Sequence, residues 1–205
     1  MSDHLKPIIE ALIFASPEPL TRKMLHKLLD GEPKEDVDAA LKAVRADYDR
    51  PGGLQIVEVA GGFQIVTRAE LHEWVRKLFH ERTTQKLTVQ SLETLAVIAY
   101  KQPITAPEIA EIRGVTSSGG VLSTLIERKL IKTVGRKQVV GRPFMYATTR
   151  EFLERFGLND LSDLPKVEEM SDALGFELPT GLIEPTAAPS ALPFEDPETA
   201  DKTVH

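Results

Sequence analysis

The residues from Gly114 to Val121 are the part of the sequence closest to a catalytic motif. Their order, Gly-Val-Thr-Ser-Ser-Gly-Gly-Val, begins like a loop whose backbone N–H groups surround nucleotide phosphates. Such a loop also needs a lysine that reaches the phosphates and a hydroxyl that binds magnesium. Gly120 and Val121 stand at those two positions. The run therefore predicts a turn at the start of a helix and no nucleotide site.

The serines and histidines form no other recognisable active site. Neither Ser117 nor Ser118 lies in the Gly-x-Ser-x-Gly turn that exposes a nucleophilic serine. His72-Glu73 lacks the second histidine of the zinc motif His-Glu-x-x-His, so we interpret His72 and His80 as surface residues. The chain has no cysteine, which excludes disulfides and zinc sites built on cysteine. We predict a protein that is not an enzyme and holds no cofactor or metal.

A cluster of basic residues lies between positions 128 and 142. It consists of Arg128, Lys129, Lys132, Arg136, Lys137 and Arg142. Such residues neutralise DNA phosphates, and arginine also pairs with carboxylates through two parallel hydrogen bonds. The preceding residues 117–124 include no Arg, Asn or Gln that could pair with a base edge. The cluster therefore favours a solvated face or an acidic partner over specific DNA recognition.

An internal repeat indicates the elements that carry these residues. Residues 11–21 align without gaps with 95–105, since both have four apolar residues, an alanine, three variable positions, then Pro, an aliphatic residue and Thr. A second similarity, Phe-Gln-Ile-Val-Thr at 63–67 with Phe-Met-Tyr-Ala-Thr at 144–148, follows in the same order. Two similarities in one order indicate that a single structural unit has been duplicated.

Each unit is predicted to contain three helices followed by a β-hairpin. In the second unit we expect helices after Thr88 and Thr105, a third capped by Thr116 or Ser117, and two strands within 131–148. In the first unit we expect helices over about 5–15, 21–29 and 33–48, and strands over 54–59 and 63–67. A helix over about 70–79 would connect the units. The fold class is thus mainly α with small β wings, as two tandem winged-helix domains.

Charge is distributed unevenly along the 205 residues, whose net charge is −6. Residues 1–82 carry −2, residues 83–150 carry +6 and residues 151–205 carry −10. After Pro165 the helical pattern stops and five prolines punctuate an acidic segment, which predicts disorder. Phe176, Leu178 and Leu182 could still form a short docking motif there. We expect a first domain with its linker helix at 1–82, a second domain at 83–166 and a disordered acidic, proline-rich tail at 167–205.

The apolar stretches are too short for a membrane span, because the longest covers only residues 95–100. The N-terminal residues include charges and lack the apolar region of a signal peptide. These features predict a cytoplasmic protein without membrane partners.

The first helix has more apolar residues than one face can hold, and these predict a homodimer. A three-helix core buries one face of that helix, so the remaining apolar side chains would be exposed unless a second chain covered them. The expected dimer-interface residues are Ile8, Ile9, Leu12 and Ile13. The single tryptophan, Trp74, is expected either in the core or at an interface.

Several long motifs resemble the ScpB family, the segregation and condensation protein B of bacterial SMC–kleisin complexes. They are the tracts 94–105, 111–115, 135–149 and 151–158, with Asp163-Leu-Pro165. The resemblance covers about residues 5–166. It implies a homodimer that binds the kleisin ScpA and, through it, works with the SMC ATPase in chromosome condensation and segregation at the nucleoid, with mainly indirect DNA association. It also implies that the first winged helix dimerises and the second contacts the kleisin. The alternative is a winged-helix DNA-binding transcription regulator.

The second hairpin offers a candidate surface for the kleisin. Adjacent side chains of a strand point to opposite faces, so part of the Phe144-Met145-Tyr146 run can project outward beside arginines. An aromatic anchor with an arginine rim has the composition of an interface hot spot. The expected partner-binding residues are Arg136, Arg142, Phe144 and Tyr146. The alternative for Tyr146 is an ordinary core position.

Overall fold

The computed structural model describes residues 4–78, 86–116 and 118–166. The first unit comprises helices α1 (Leu5–Ala15), α2 (Arg22–Leu28), α3 (Lys34–Tyr48) and α4 (His72–Leu78), and strands β1 (Leu20–Thr21), β2 (Leu54–Val59) and β3 (Gly62–Thr67). The second comprises helices α5 (Val89–Lys101), α6 (Ala106–Arg113), α7 (Gly119–Glu127) and α8 (Arg150–Phe156), and strands β4 (Ile104–Thr105), β5 (Ile131–Arg136) and β6 (Phe144–Thr148). The predicted α+β class, mainly helical with small sheets, is confirmed. The expected tail at 167–205 lies outside the described residues.

Each unit has its own hydrophobic core, because three helices pack their apolar faces against a small sheet. The first core joins α1, α2, α3 and β3, and its fully buried members include Leu5, Ile9, Ile13, Leu25 and Phe63. The second joins α5, α6, α7, β5 and α8, and its buried members include Leu95, Ile98, Ile109, Leu125 and Phe152. These two cores account for the repeated helical pattern of the sequence.

Both sheets have three antiparallel strands, one more than the sequence predicted. Their orders are β1-β3-β2 and β4-β6-β5. The additional strands β1 and β4 are the two-residue Leu-Thr and Ile-Thr ends of the repeated tract. Two residues are too few to show the period of a strand, so only pairing with β3 or β6 reveals them.

The pairing also corrects the alignment of the second repeated tract. Leu20 pairs with Phe63, whereas its repeat counterpart Ile104 pairs with Tyr146. Phe63 therefore corresponds to Tyr146 and not to Phe144, a shift of two residues. Both tracts lie on matching strands, but an aromatic residue at each strand start produced a similarity out of register.

Side-chain caps set the helix starts largely as the sequence predicts. Thr21 accepts a hydrogen bond from the Met24 N–H at 3.2 Å, and Thr88 does the same for Ser91. Thr105 and Glu108 form a capping box at the start of α6, the helix predicted after Thr105. The expected cap of α7 at Thr116 or Ser117 is wrong, because the residue before the helix is Ser118.

The two hairpins differ in length and in what they contact. The β2–β3 turn has two residues with positive φ, Ala60 at 50° and Gly61 at 72°, as tight hairpins of this twist require. Its tip meets the second unit: the Ala60 N–H donates to the Leu158 carbonyl and the Gly61 N–H to Asn159 Oδ1, both at 2.9 Å. The β5–β6 hairpin has a seven-residue connection, residues 137–143, that stays exposed apart from two half-buried positions.

Candidate partner-binding surfaces

The longer hairpin of the second unit exposes an arginine stacked on an aromatic ring. The guanidinium carbon of Arg136 lies 4.0 Å from the centre of the Phe144 ring, within cation–π range. Arg136 Nη1 also donates to the carbonyl oxygen of Arg142 at 3.3 Å. Phe144 keeps 45% of its surface exposed despite the stack. These contacts hold the arginine flat over the ring and beside the turn.

Two valines extend this surface along the connection. Val139 is half exposed and Val140 is fully exposed, which is unusual for branched apolar side chains. The Arg142 N–H donates to the Val139 carbonyl at 2.9 Å, which closes the connection. We call Arg136, Val139, Val140, Arg142 and Phe144 the wing face. It combines exposed apolar area with two cationic side chains.

Tyr146, the fourth expected partner-binding residue, lies away from this face. It shares a side of β6 with Phe144, but it is half-buried against the second core. Phe144 lies at the outer end of the strand, beyond the helices that cover Tyr146. The core alternative therefore holds for the buried part of the Tyr146 side chain, and its contact with a partner stays a prediction.

Lys137 joins the second hairpin to helix α6. Its Nζ donates to Glu108 Oε1 at 2.5 Å, while Glu108 Oε2 accepts from the Thr105 N–H at 2.9 Å and from the Thr105 hydroxyl at 2.6 Å. Burial raises the pKa of Glu108, but the hydrogen bonds from Lys137 and Thr105 outweigh it and hold the pKa below its ordinary value. Lys137 thus fixes the hairpin to α6, and the arginines supply the outward charge.

Helix α7, which would read bases in a DNA-binding winged helix, offers little for that task. The hydroxyls of Ser123 and Thr124 donate to the carbonyls of Gly119 and Gly120 one turn earlier, each at 3.1 Å. Both hydroxyls therefore serve the helix backbone. Arg128 and Lys129 follow the helix end, where they could meet phosphates but specify no sequence.

The residues first considered for catalysis occupy ordinary structural positions. Gly114 ends α6 with a left-handed φ of 64°. His72 Nδ1 lies 3.2 Å from the Ala69 carbonyl at the start of α4, whereas Ser117 and His80 lie outside the described residues. Within 4–78, 86–116 and 118–166 no group of three His, Cys, Asp or Glu could hold a metal. In the same ranges no helix combines the length and apolarity that crossing a membrane requires.

The first unit exposes apolar side chains on α1, but only partly those expected. Ile9 and Ile13 are buried in the core of their own chain, because one face of α1 packs on α3 and β3. They have no surface for a second chain, which corrects this part of the expected interface. Leu12 is half-buried, Ile8 is exposed, and Phe14 keeps 74% of its surface exposed.

Helix α4 carries a second apolar stripe, which the sequence left between core and interface. Leu71, one residue before the helix, and Trp74 and Leu78 within it are all exposed, and Trp74 keeps 69% of its surface exposed. Lys77 Nζ lies 4.4 Å from the centre of the Trp74 ring. The spacing of these residues at i, i+3 and i+7 is the signal of a one-sided helix. The structure thus excludes the core alternative for Trp74 within this chain.

Comparison with known proteins assigns the chain to a family. The family model described as "Segregation and condensation complex subunit ScpB" matches residues 7–167. Segregation and condensation protein B of Syntrophotalea carbinolica is 44% identical over 90% of this chain and 95% of that protein. The protein of the same name from Symbiobacterium thermophilum is 45% identical over 87% of this chain and 80% of its own length.

Solved structures are also similar. ScpB from Mycobacterium tuberculosis is 35% identical, covers 77% of this chain and 98% of its own, and has a TM-score of 0.36. A dimer of the ScpB N-terminal domain complexed with ScpA peptide is 29% identical, covers 38% of this chain and 94% of its own, and has a TM-score of 0.34. By the family match and the identity to its relatives, the chain belongs to the ScpB family of segregation and condensation complex subunits.

Proposed function

We propose that this chain is a non-catalytic accessory subunit of the bacterial SMC–kleisin complex that acts in chromosome condensation and segregation. The observation that carries the proposal is the family match over residues 7–167, which includes both cores and the wing face. The chain would bind the kleisin ScpA and reach the SMC ATPase through it, in the cytoplasm at the nucleoid. Its association with DNA would be mainly indirect.

The second unit, residues 83–166, is proposed to contact the kleisin through the wing face. Phe144 supplies an exposed aromatic anchor, and Arg136 stacks on it. Arginine suits the rim because its planar fork pairs a carboxylate through two hydrogen bonds. The matching partner is a kleisin segment with apolar and acidic residues. Tyr146 would contribute indirectly, because it packs against the second core and supports the strand that carries Phe144.

The first unit, residues 1–82, is proposed to form a homodimer. Phe14 on α1 and Trp74 on α4 are large, exposed and apolar, and buried aromatic residues dominate interface energetics. Ile8 and Leu12, which are neighbours one turn apart on α1, would add a further apolar contact. A second copy of the chain would remove these side chains from water, which favours association by about 25 cal/mol per Å² of apolar surface.

The test is the affinity of full-length variants for ScpA, measured by isothermal titration calorimetry. Arg142→Glu and Phe144→Ala should each weaken binding by about 2 kcal/mol, close to 30-fold, as removal of a hot-spot residue does. Arg155→Glu, an exposed arginine on α8, is the matched control and should bind normally. Circular dichroism melts verify that every variant is folded.

A variant of the first unit completes the design, since an ScpA peptide accompanies the N-terminal-domain dimer in the similar solved structure. If Phe14→Glu alone abolished binding while both wing variants bound normally, the kleisin surface would lie on the first unit. Gel shifts with duplex DNA address the transcription-regulator alternative. Sequence-specific DNA binding without ScpA binding would contradict the proposed function.

A further inference from the structure

We propose that the acidic segment 167–205 docks on the wing face of its own chain and competes there with the external partner. The docking is inferred from the wing face and the segment alone and does not depend on the proposed function. The competition also rests on the proposed function, because it requires that the kleisin uses the same face. The segment would then act as a built-in regulator of partner binding.

The charges of the two surfaces are complementary. Residues 167–205 contain nine acidic residues and one lysine, a net charge of −8. The wing face presents Arg136 and Arg142, within the region 83–150 that carries +6. Opposite charges accelerate and strengthen the encounter of two surfaces, and the effect weakens with added salt. Residues 1–82 carry −2, so the first unit gives the segment no comparable attraction.

The apolar residues of the two surfaces also match. The wing face exposes Val139 and Val140, and Phe144 keeps 45% of its surface exposed beside Arg136. Within the segment, one stretch alternates apolar and acidic residues, Phe176-Glu177-Leu178, and Leu182 follows it. In an extended chain Phe176 and Leu178 point to one side and Glu177 to the other. Such a stretch can place both apolar side chains on the valines, while carboxylates elsewhere in the segment approach the arginines.

The segment leaves the second unit close to the sheet that carries the wing. The Pro165 carbonyl accepts a hydrogen bond from Tyr100 Oη at 2.6 Å, at the end of α5. Two residues later, Gln102 Oε1 accepts from the Thr148 N–H at 2.8 Å, which joins this end of α5 to β6. The path to the opposite end of β6, where Phe144 lies, therefore starts on the same sheet.

The ten residues from 167 to 176 are sufficient to cover that path. Extended chain spans about 3.3 Å per residue, so ten residues reach roughly 33 Å. A unit of about 80 residues has a radius of gyration near 12 Å and is about 30 Å across. The strand β6 has five residues and is about 17 Å long, so Phe176 can reach the end of that strand where Phe144 lies. Covalent attachment by a short linker gives an effective concentration on the order of millimolar, so weak docking is enough to occupy the face.

The direct test compares backbone amide chemical shifts of full-length proteins labelled with ¹⁵N. The docking variant carries Phe176→Ala, Leu178→Ala and Leu182→Ala. The control variant carries Leu192→Ala, Phe194→Ala and Val204→Ala, which removes a similar set of side chains from the far part of the same segment. We expect the docking variant to shift the amides of residues 136–144 and the control to leave them in place. Added salt, at about 0.5 M, should move the wild-type amides towards the positions of the docking variant.

Unchanged wing amides in the docking variant, or changes confined to α1 and α4, would overturn the proposal. The competition has its own measurement, the affinity of full-length protein for ScpA. The docking variant should bind ScpA three- to tenfold more tightly than the wild type, and the control variant should not. Equal affinities would refute competition even if the wing amides shift. If Arg142→Glu bound ScpA as tightly as the wild type does, the proposed kleisin contact at the wing face would be refuted, and the amide result would still stand.

Discussion

The two units share one order of elements, yet they expose different parts of it. The first unit has a two-residue hairpin turn whose tip is hydrogen-bonded to Leu158 and Asn159, and its most exposed apolar side chains lie on helices. The second has a seven-residue hairpin connection that carries two exposed valines and an arginine, and one of these valines, Val140, is its most exposed apolar side chain. The cores and the sheet order are alike in the two units. Their most exposed apolar side chains lie on different elements, which is why we propose a different docking surface for each unit.

One pair of equivalent positions shows how the sheets differ inside. Gly62 pairs with Thr21 in the first sheet, and Met145 pairs with Thr105 in the second. A Cβ on Gly62 would lie 2.7 Å from the backbone carbonyl carbon and oxygen of Pro19, closer than such atoms approach. In the first sheet, strand β3 therefore packs closely against the backbone of Pro19, just before β1. The second sheet has a methionine side chain at the equivalent position.

The largest expected effect is that of Gly62→Ala. The added methyl group would force apart backbone atoms that cannot rotate away, so we expect a loss of about 3 kcal/mol in the free energy of unfolding. Urea denaturation of the full-length protein measures it. Gly52→Ala is the control and should be nearly neutral, because a Cβ there would lie 3.9 Å from the backbone oxygen of Arg50, an ordinary contact distance. Equal stabilities of the two variants would show that the close approach at Pro19 relaxes without cost.

The second prediction separates the docking faces of the two units. Phe14→Glu should weaken the homodimer by about 2 kcal/mol, close to 30-fold in the dissociation constant, because it places a charge in the apolar face. Phe144→Glu, the same substitution on the wing, should leave the dimer unchanged. Sedimentation velocity of the full-length proteins at tens of micromolar measures both. If the wild-type protein sedimented as a monomer, the proposed homodimer would be refuted.

Much of the fold could be predicted from the sequence because its signals are local. The caps at Thr21, Thr88 and Thr105 lie within three residues of the N–H groups they bond, so their spacing is visible in the chain. The turn at Gly61 is visible for the same reason. The strands β1 and β4 are not, because each becomes a strand only through pairing with a segment about 40 residues away.

The candidate surfaces were less predictable, since burial depends on packing between elements. Ile9 and Phe14 are both large apolar residues of α1, and only the contacts of α1 with α3 and β3 decide that Ile9 is buried. The stack of Arg136 on Phe144 joins residues on opposite strands of a hairpin, whose register includes a bulge at Thr133 and Gly135. The residue types were foreseen at that site, but their contact was not.

The third prediction concerns the capping box, which only the second unit completes with a carboxylate. Glu108 accepts hydrogen bonds from Thr105 and Lys137, and these hold its pKa below the ordinary value of 4.5 despite partial burial. Its contribution to stability is therefore present above about pH 4.5 and is lost as the pH falls through the lowered pKa. Glu108→Gln should lower the free energy of unfolding at pH 7 by about 1 kcal/mol, as loss of a helix cap typically does.

Urea denaturation at pH 7 and pH 3 measures this contribution. The difference between wild type and Glu108→Gln should shrink as the pH is lowered to 3, because the contribution of the carboxylate is lost as the pH falls through its lowered pKa. Glu111→Gln, an exposed glutamate on the same helix, is the control and should show little difference at either pH. A Glu108→Gln effect of the same size at both pH values would mean that shape, and not charge, accounts for the stabilisation.

The smallest expected effect comes from adding to helix α2 the carboxylate that would complete its Thr21 cap as a capping box. Met24 holds the position of Glu108 in the repeat, three residues after Thr21, and α2 has no acidic residue in its first turn. Met24→Glu would let the new carboxylate accept the Thr21 N–H and would favour the positive end of the helix dipole. We expect about 0.5 kcal/mol of added stability at pH 7 in urea denaturation, with Met24→Ala as the control for loss of the exposed methionine. The gain should shrink as the pH is lowered to 3, as for Glu108. If Met24→Glu instead destabilised the protein at pH 7, the side chain at position 24 would have an apolar contact, and the exposed face of α2 would belong to the proposed dimer interface.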